Sequence, residues 1–274
     1  MPTTKGEVQI YYETRGSRDG IPILFVQGFT WQLIGWREGF CQKFVARGAL
    51  VILYDNRDVG LSQKFGGPND YDGGYSLTDM ARDGFSVLDD LGLPSAHVVG
   101  ASMGGMIAQI MAQSQPSRVR SLNLIYTAPS MDPRYFVPTE PQDLGKRFDR
   151  EHALEEFVKR ERASASTAYP YDEEWVRELG SRMYDRCYAP DGLLRQLAAM
   201  LRWAATPEAL GSLDMPSSII HGRADGRIRP EAALDIARAL KNSEVHIYPG
   251  LGHEIPRALW DEFATIIMRT AARV

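Results

Sequence analysis

The sequence predicts an α/β fold in which a mostly parallel sheet is covered on both faces by helices. Six apolar runs carry this reading. Four are continuously apolar, as strands buried on both faces should be, at 21–26, 50–54, 97–99 and 122–126, and two more follow at 218–221 and 245–248. Segments of helical periodicity fall between them, and strand alternating with helix is the pattern of a helix-covered parallel sheet. Size agrees: 274 residues, 44% hydrophobic and 24% charged, suffice for one large packed domain or two small ones.

Residues 8–14 alternate β-branched and aromatic side chains, which predicts an opening antiparallel strand or hairpin. The segment 77–91 sets Met80, Phe85, Val87, Leu88 and Leu91 near one helical face, and 103–112, 231–240 and 257–272 read as the other main helices. The stretch 131–213 carries no convincing strand. Pro129, Pro133, Pro138 and Pro141 lead into it, and helical charge patterning follows through 150–162, 173–186 and 192–203. Its aromatics and methionines (Phe136, Tyr169, Tyr171, Trp175, Met183, Tyr184, Met200, Trp203) are too many for a linker. A helical insertion over the sheet is expected, with 1–130 and 214–274 forming the core domain.

A net charge of −4, from 31 basic and 35 acidic residues mixed along the chain, gives no stripe for nucleic acid. No apolar run reaches membrane-spanning length, and residues 1–7 lack an apolar signal core, so no membrane partner and a cytoplasmic setting are expected. Cys41 and Cys187 have no metal-ligand spacing and read as buried free thiols.

The chemistry is concentrated around Ser102. His97-Val98-Val99-Gly100-Ala101-Ser102-Met103-Gly104-Gly105-Met106 is a strand that turns sharply into a helix, with G-x-S-x-G at the turn. Alone, the pattern also fits a serine that only caps the helix. A nucleophilic serine needs a base and a group to orient that base. Of five histidines, His97 and His246 lie in predicted strands, His152 on a charged helix and His221 at a strand end. His253 lies in the Gly-rich loop Pro249-Gly250-Leu251-Gly252-His253-Glu254 after the last strand, where open α/β sheets place their chemistry. Asp225 follows the 218–221 strand in Gly222-Arg223-Ala224-Asp225. The order Ser102, Asp225, His253 completes a nucleophile elbow, and Met103 with Phe29 of Gln27-Gly28-Phe29-Thr30 would supply backbone N–H groups for an oxyanion.

These residues together resemble the α/β-hydrolase superfamily over the whole length apart from the insertion. The resemblance implies a mostly parallel eight-stranded sheet flanked by helices, with a helical cap inserted after strand six. Gln27-Gly28-Phe29 stands where the family has His-Gly, so Gln27 must do what that histidine does structurally. Asp55-Asn56-Arg57-Asp58-Val59-Gly60-Leu61-Ser62 matches the family's D-x-R-x-x-G-x-S turn, with Asp58 where glycine is commoner, and is read as an Asp55–Arg57 brace. Residues 28–36, 54–58 and 100–106 are most similar to the aclacinomycin methylesterase-type carboxylesterases.

The expectation is a carboxylesterase acting on a small to medium apolar or aromatic ester, as monomer or homodimer, without metal or organic cofactor. Phe29, Trp31, Met103, Tyr126, Trp203 and Ile255 are the candidate walls of its substrate pocket. Lactonase, carbon–carbon bond hydrolase and cofactor-free perhydrolase chemistry need the same parts, although Glu254 replaces the aromatic that usually follows the histidine of carbon–carbon hydrolases. A ligand receptor that kept the fold without turnover is the reading from another class.

Overall fold

The apolar runs become strands because their alternate side chains can be buried against helices on both sides. The computed structural model describes residues 3–138 and 145–274, so Met1, Pro2 and Pro141 lie outside it. Seven strands form: β1 (Tyr12–Arg15), β2 (Ile21–Val26), β3 (Ala49–Tyr54), β4 (Ala96–Ala101), β5 (Val119–Ile125), β6 (Ser217–Gly222) and β7 (Ser243–Tyr248). Their order in the sheet is β1-β3-β2-β4-β5-β6-β7. β1 runs antiparallel to β3 and all other pairings are parallel.

Eight strands were expected and the described residues form seven. Ahead of β1 the described residues make only a bridge between Thr3 and Tyr11. The Thr4 hydroxyl donates to Val8 O (2.8 Å) and accepts from Ile10 N (3.0 Å), which folds 4–10 into a local turn instead of a further ladder.

The helices are α1 (Glu38–Val45), α2 (Leu77–Asp90), α3 (Met103–Ser114), α4 (Arg150–Arg162), α5 (Glu173–Arg186), α6 (Asp191–Leu201), α7 (Glu231–Ala239) and α8 (Trp260–Ala271). Sequence periodicity did not anticipate α1, which is eight residues long and starts from Arg37 without a side-chain cap. α2 begins at a capping box, in which Ser76 and Asp79 each satisfy the other's backbone N–H. Apolar side chains of α2, α3 and α7 fill one face of the sheet, and those of α1 and α8 fill the other. The helices α4, α5 and α6 fall between β5 and β6, so the segment expected after a sixth strand follows the fifth. A separate cluster of Phe157, Val158, Val176 and Leu179 joins α4 to α5. Of the two thiols, Cys41 is buried and Cys187 is only partly so.

β4 sits at the middle of the sheet between β2 and β5. The loops that follow β2, β4, β6 and β7 therefore emerge at one edge, where their side chains can meet.

Candidate active site

Ser102 follows the last residue of β4 and precedes the first of α3, with φ +55° and ψ −123°. That is costly backbone for a residue with a Cβ and persists only where the surroundings enforce it. Several contacts do. Ser102 N donates to Ile125 O (3.0 Å), and the Thr127 hydroxyl donates to Ser102 O (2.7 Å). A Cβ on Gly104 would overlap the Val26 carbonyl, so the helix can press against β2 only because that residue is glycine.

Asp225, in the turn after β6, is 6% exposed. Its Oδ1 accepts from Arg227 N (2.8 Å) and Ile228 N (2.9 Å). Its Oδ2 lies 2.8 Å from His253 Nδ1. Burial alone would raise the Asp225 pKa, but His253, His221 and the Ile228 N–H favour the carboxylate and hold it below the usual value. An ionised carboxylate only accepts hydrogen bonds, so Nδ1 of His253 is the donor and Nε2 of the neutral ring is left as an acceptor. The His253 backbone N–H is fixed to Ser164 O (2.8 Å), and its ring lies 4.4 Å from that of Tyr126.

Ser102 and His253 line one cavity of about 220 Å³. Gly28 and Phe29 line it too, and a Cβ on Gly28 would come within 3.2 Å of the Ser102 Cβ, so the loop after β2 passes directly beside the serine. In that loop Gly28 N donates to Gln27 Oε1 (2.9 Å), Thr30 N to Gln196 Oε1 (3.2 Å) and Trp31 N to Gly28 O (3.3 Å). Phe29 N–H is left without a partner among the described residues. Gln27 thus serves the loop through its own side chain, and its carbonyl accepts from Asn56 Nδ2 (2.9 Å). Met103 N–H opens α3, where the first amides of a helix have no intrahelical acceptor.

Of the anticipated walls, Trp31, Tyr126 and Ile255 line this cavity together with Phe29. Trp203 does not. It lines a separate cleft with Ser76, Leu77 and Thr206, because it lies just beyond the C-terminal end of α6 and packs against the α2–α3 side of the core. The Met103 side chain is wholly buried in that same core, and Met106, one turn on, takes its place in the cavity wall. The segment between β5 and β6 adds Phe136, Tyr171, Trp175, Val176 and Met200, and the charged lining residues are Arg37, Arg160, Glu161, Arg227 and Glu254.

The expected Asp55–Arg57 brace is not formed. The planar guanidinium of Arg57 instead grips both oxygens of Asp83 on α2, at 2.6 and 2.7 Å, a fork that its neighbour two residues away could not present. Asp55 accepts from Leu33 N and Leu61 N, each at 2.8 Å, and pairs with Arg186 of α5 at 2.7 Å.

Sequence reasoning also passed over His221. It is fully buried, with Nε2 2.9 Å from Ile228 O and 3.5 Å from Asp225 Oδ2. Burial lowers its pKa, so it meets Asp225 as a neutral ring. Its position four residues before Asp225, at the end of a strand, was the available signal. Among the described residues no cluster of three or more His, Cys, Asp or Glu is placed to hold a metal, and no helix is long and apolar enough to cross a membrane.

Comparison with known proteins places the chain in a family. The model of the alpha/beta hydrolase fold family matches residues 21–256, and the chain belongs to that family. It is a hydrolase. A putative carbamate hydrolase from Variovorax paradoxus is 27% identical over 252 residues, covering 89% of each chain. A rhodomycin D methylesterase from Streptomyces peucetius is 25% identical over 293 residues, covering 97% of each. Among solved structures, Est816, described as an N-acyl homoserine lactone degrading enzyme, superposes with a TM-score of 0.73 at 21% identity over the full length of both chains.

Proposed function

We propose that the chain is a serine carboxylesterase for small to medium apolar or aromatic esters. The observation that carries this reading is the strained Ser102 sharing a cavity with His253, whose Nδ1 is held by a buried Asp225. In the proposed reaction Ser102 Oγ attacks the ester carbonyl while its proton passes to His253 Nε2. Phe29 and Met103 N–H groups hold the oxyanion. As the C–O bond breaks, His253 returns the proton to the leaving alcohol. It then takes a proton from water, whose oxygen attacks the acyl carbonyl, and gives it to Ser102 as the acid departs. Asp225 keeps the ring in the required tautomer and stabilises its protonated form.

On this reading 131–213 is a cap over a core of 1–130 and 214–274. Support comes from Phe136, Tyr171, Trp175 and Met200 of that segment, which line the same cavity as Ser102. Trp31, Tyr126 and Ile255 would contact the substrate from the core side. The test is a panel of acyl and alcohol variants measured for kcat/KM beside lactones and vinylogous diketones. Aryl and short alkyl esters turning over faster than both classes is the expected result, and preference for either other class would replace the ester reading.

A further inference from the structure

Thr30 is a β-branched residue with φ +73°, in the left-handed region that disfavours such side chains. It follows Phe29, the proposed oxyanion donor, and is buried. The acceptor it finds is not in the core. Gln196 of α6, wholly buried, takes the Thr30 N–H on Oε1 (3.2 Å) and donates from Nε2 to Arg57 O (2.8 Å). One amide from the proposed cap therefore satisfies backbone groups of the loops after β2 and after β3.

The surroundings hold this amide firmly. Arg195, its neighbour, is paired with Asp58 at 2.8 Å, and a Cβ on Gly192 would overlap the Asp58 backbone. Two residues beyond Thr30 the same loop is pinned to the end of α5. Gln32 Nε2 donates to Met183 O (2.9 Å) and Cys187 O (3.1 Å), and Gln32 Oε1 accepts from Arg186 Nη1 (2.7 Å). One turn along α6 from Gln196, Met200 lines the Ser102 cavity. α6 thus reaches both the space for the substrate and the loop beside the serine.

We propose that Gln196 is a positioning residue for the oxyanion site: its hold on Thr30 N–H aims Phe29 N–H at the oxyanion of the Ser102 adduct. The proposal rests on the esterase reading above. Without Gln196 the Thr30 amide is buried and unpaired, and its left-handed backbone gains by relaxing. Both effects turn the Phe29–Thr30 peptide and carry the preceding N–H off line, where a hydrogen bond weakens steeply with angle. Catalytic competence then depends on α6 being docked.

The test is Q196M, which keeps side-chain length but neither hydrogen bond, with Q196L as a second variant read the same way. Competent sites are counted by exhaustive labelling with a fluorophosphonate, so that misfolded protein does not enter the rates. Losing one oxyanion donor outright costs about 100- to 1,000-fold in kcat, and a misaimed donor should cost about 10- to 100-fold. The expected result is that loss in kcat per labelled site with p-nitrophenyl butyrate and KM within about twofold, together with a matching weakening of phenylboronic acid, whose adduct places an oxygen at the oxyanion position. Unchanged kcat per site and unchanged boronate affinity would overturn the proposal. The esterase reading fails separately, if wild type shows no ester turnover or S102A keeps it.

Discussion

Arg195 of α6 and Asp58 of the loop after β3 form an ion pair at 2.8 Å in which both side chains are essentially removed from solvent, at 2% and 0% exposure. Asp58 occupies a left-handed position, φ +70°, where glycine would fit without strain. Here the carboxylate is the point of the residue, because it receives a buried guanidinium. Removing one member of a buried pair typically costs about 3–5 kcal/mol, and relief of backbone strain returns about 1 kcal/mol or more. D58G should therefore lose about 2–4 kcal/mol in urea unfolding, and the double variant D58G/R195M should regain most of it. A D58G protein as stable as wild type would show that the pair holds nothing.

The elbow depends on close approach of α3 to β2. G104A puts a methyl group into the Val26 carbonyl, which is backbone and cannot step aside. Overpacking of this kind costs about 1–3 kcal/mol or more. The expected outcome is a lower urea midpoint together with loss of fluorophosphonate labelling at Ser102, because relief of the clash moves the elbow itself. Wild-type midpoint and labelling would refute the close-packing account.

In D225N the amide can still accept from Arg227 N and Ile228 N with its oxygen, which leaves its NH2 group facing His253 Nδ1. That neighbour forces the wrong tautomer, with a bare Nδ1 and a proton on Nε2. On the precedent of serine triads, kcat should fall by about 10⁴-fold while the melting temperature changes little. A loss under tenfold would mean that Asp225 does not orient the base.

His97 lies inside β4 with Nδ1 2.8 Å from the Ser121 hydroxyl, and burial lowers its pKa to about 4. The unfolded chain, with its histidine near 6.5, takes up the proton first. The stability that neutral His97 allows is therefore complete above pH 6.5 and is lost as pH falls through about 4. The slope from this one group is at most about 1.4 kcal/mol per pH unit. Urea unfolding between pH 7.5 and 5 should show a steeper acid loss for wild type than for H97N. Equal slopes would contradict the assignment.

Much of this molecule can be read from its residues, for a physical reason. Strands buried on both faces announce themselves as apolar runs, so β2 to β6 stand out in the sequence, and caps such as Ser76–Asp79 fix where helices begin. Ser102, Asp225 and His253 stood out as candidates because each lies in a loop after a strand, and local glycines mark the turns. What escaped was set by distance in sequence. Nothing near Asp55 or Arg57 says that their partners are Arg186 and Asp83, or that Gln196 reaches Thr30 across 166 positions. The misplaced Trp203 has the same cause, since helical periodicity gives a face but not which neighbour that face meets.

If Ser102 is the nucleophile of an ester hydrolase, as proposed, its hydroxyl is indispensable, and S102A removes nothing else. With p-nitrophenyl butyrate as substrate and folding verified by circular dichroism, S102A should keep the wild-type melting profile and lose turnover to near the uncatalysed rate. A folded S102A protein that hydrolyses the ester at a rate close to wild type would contradict it.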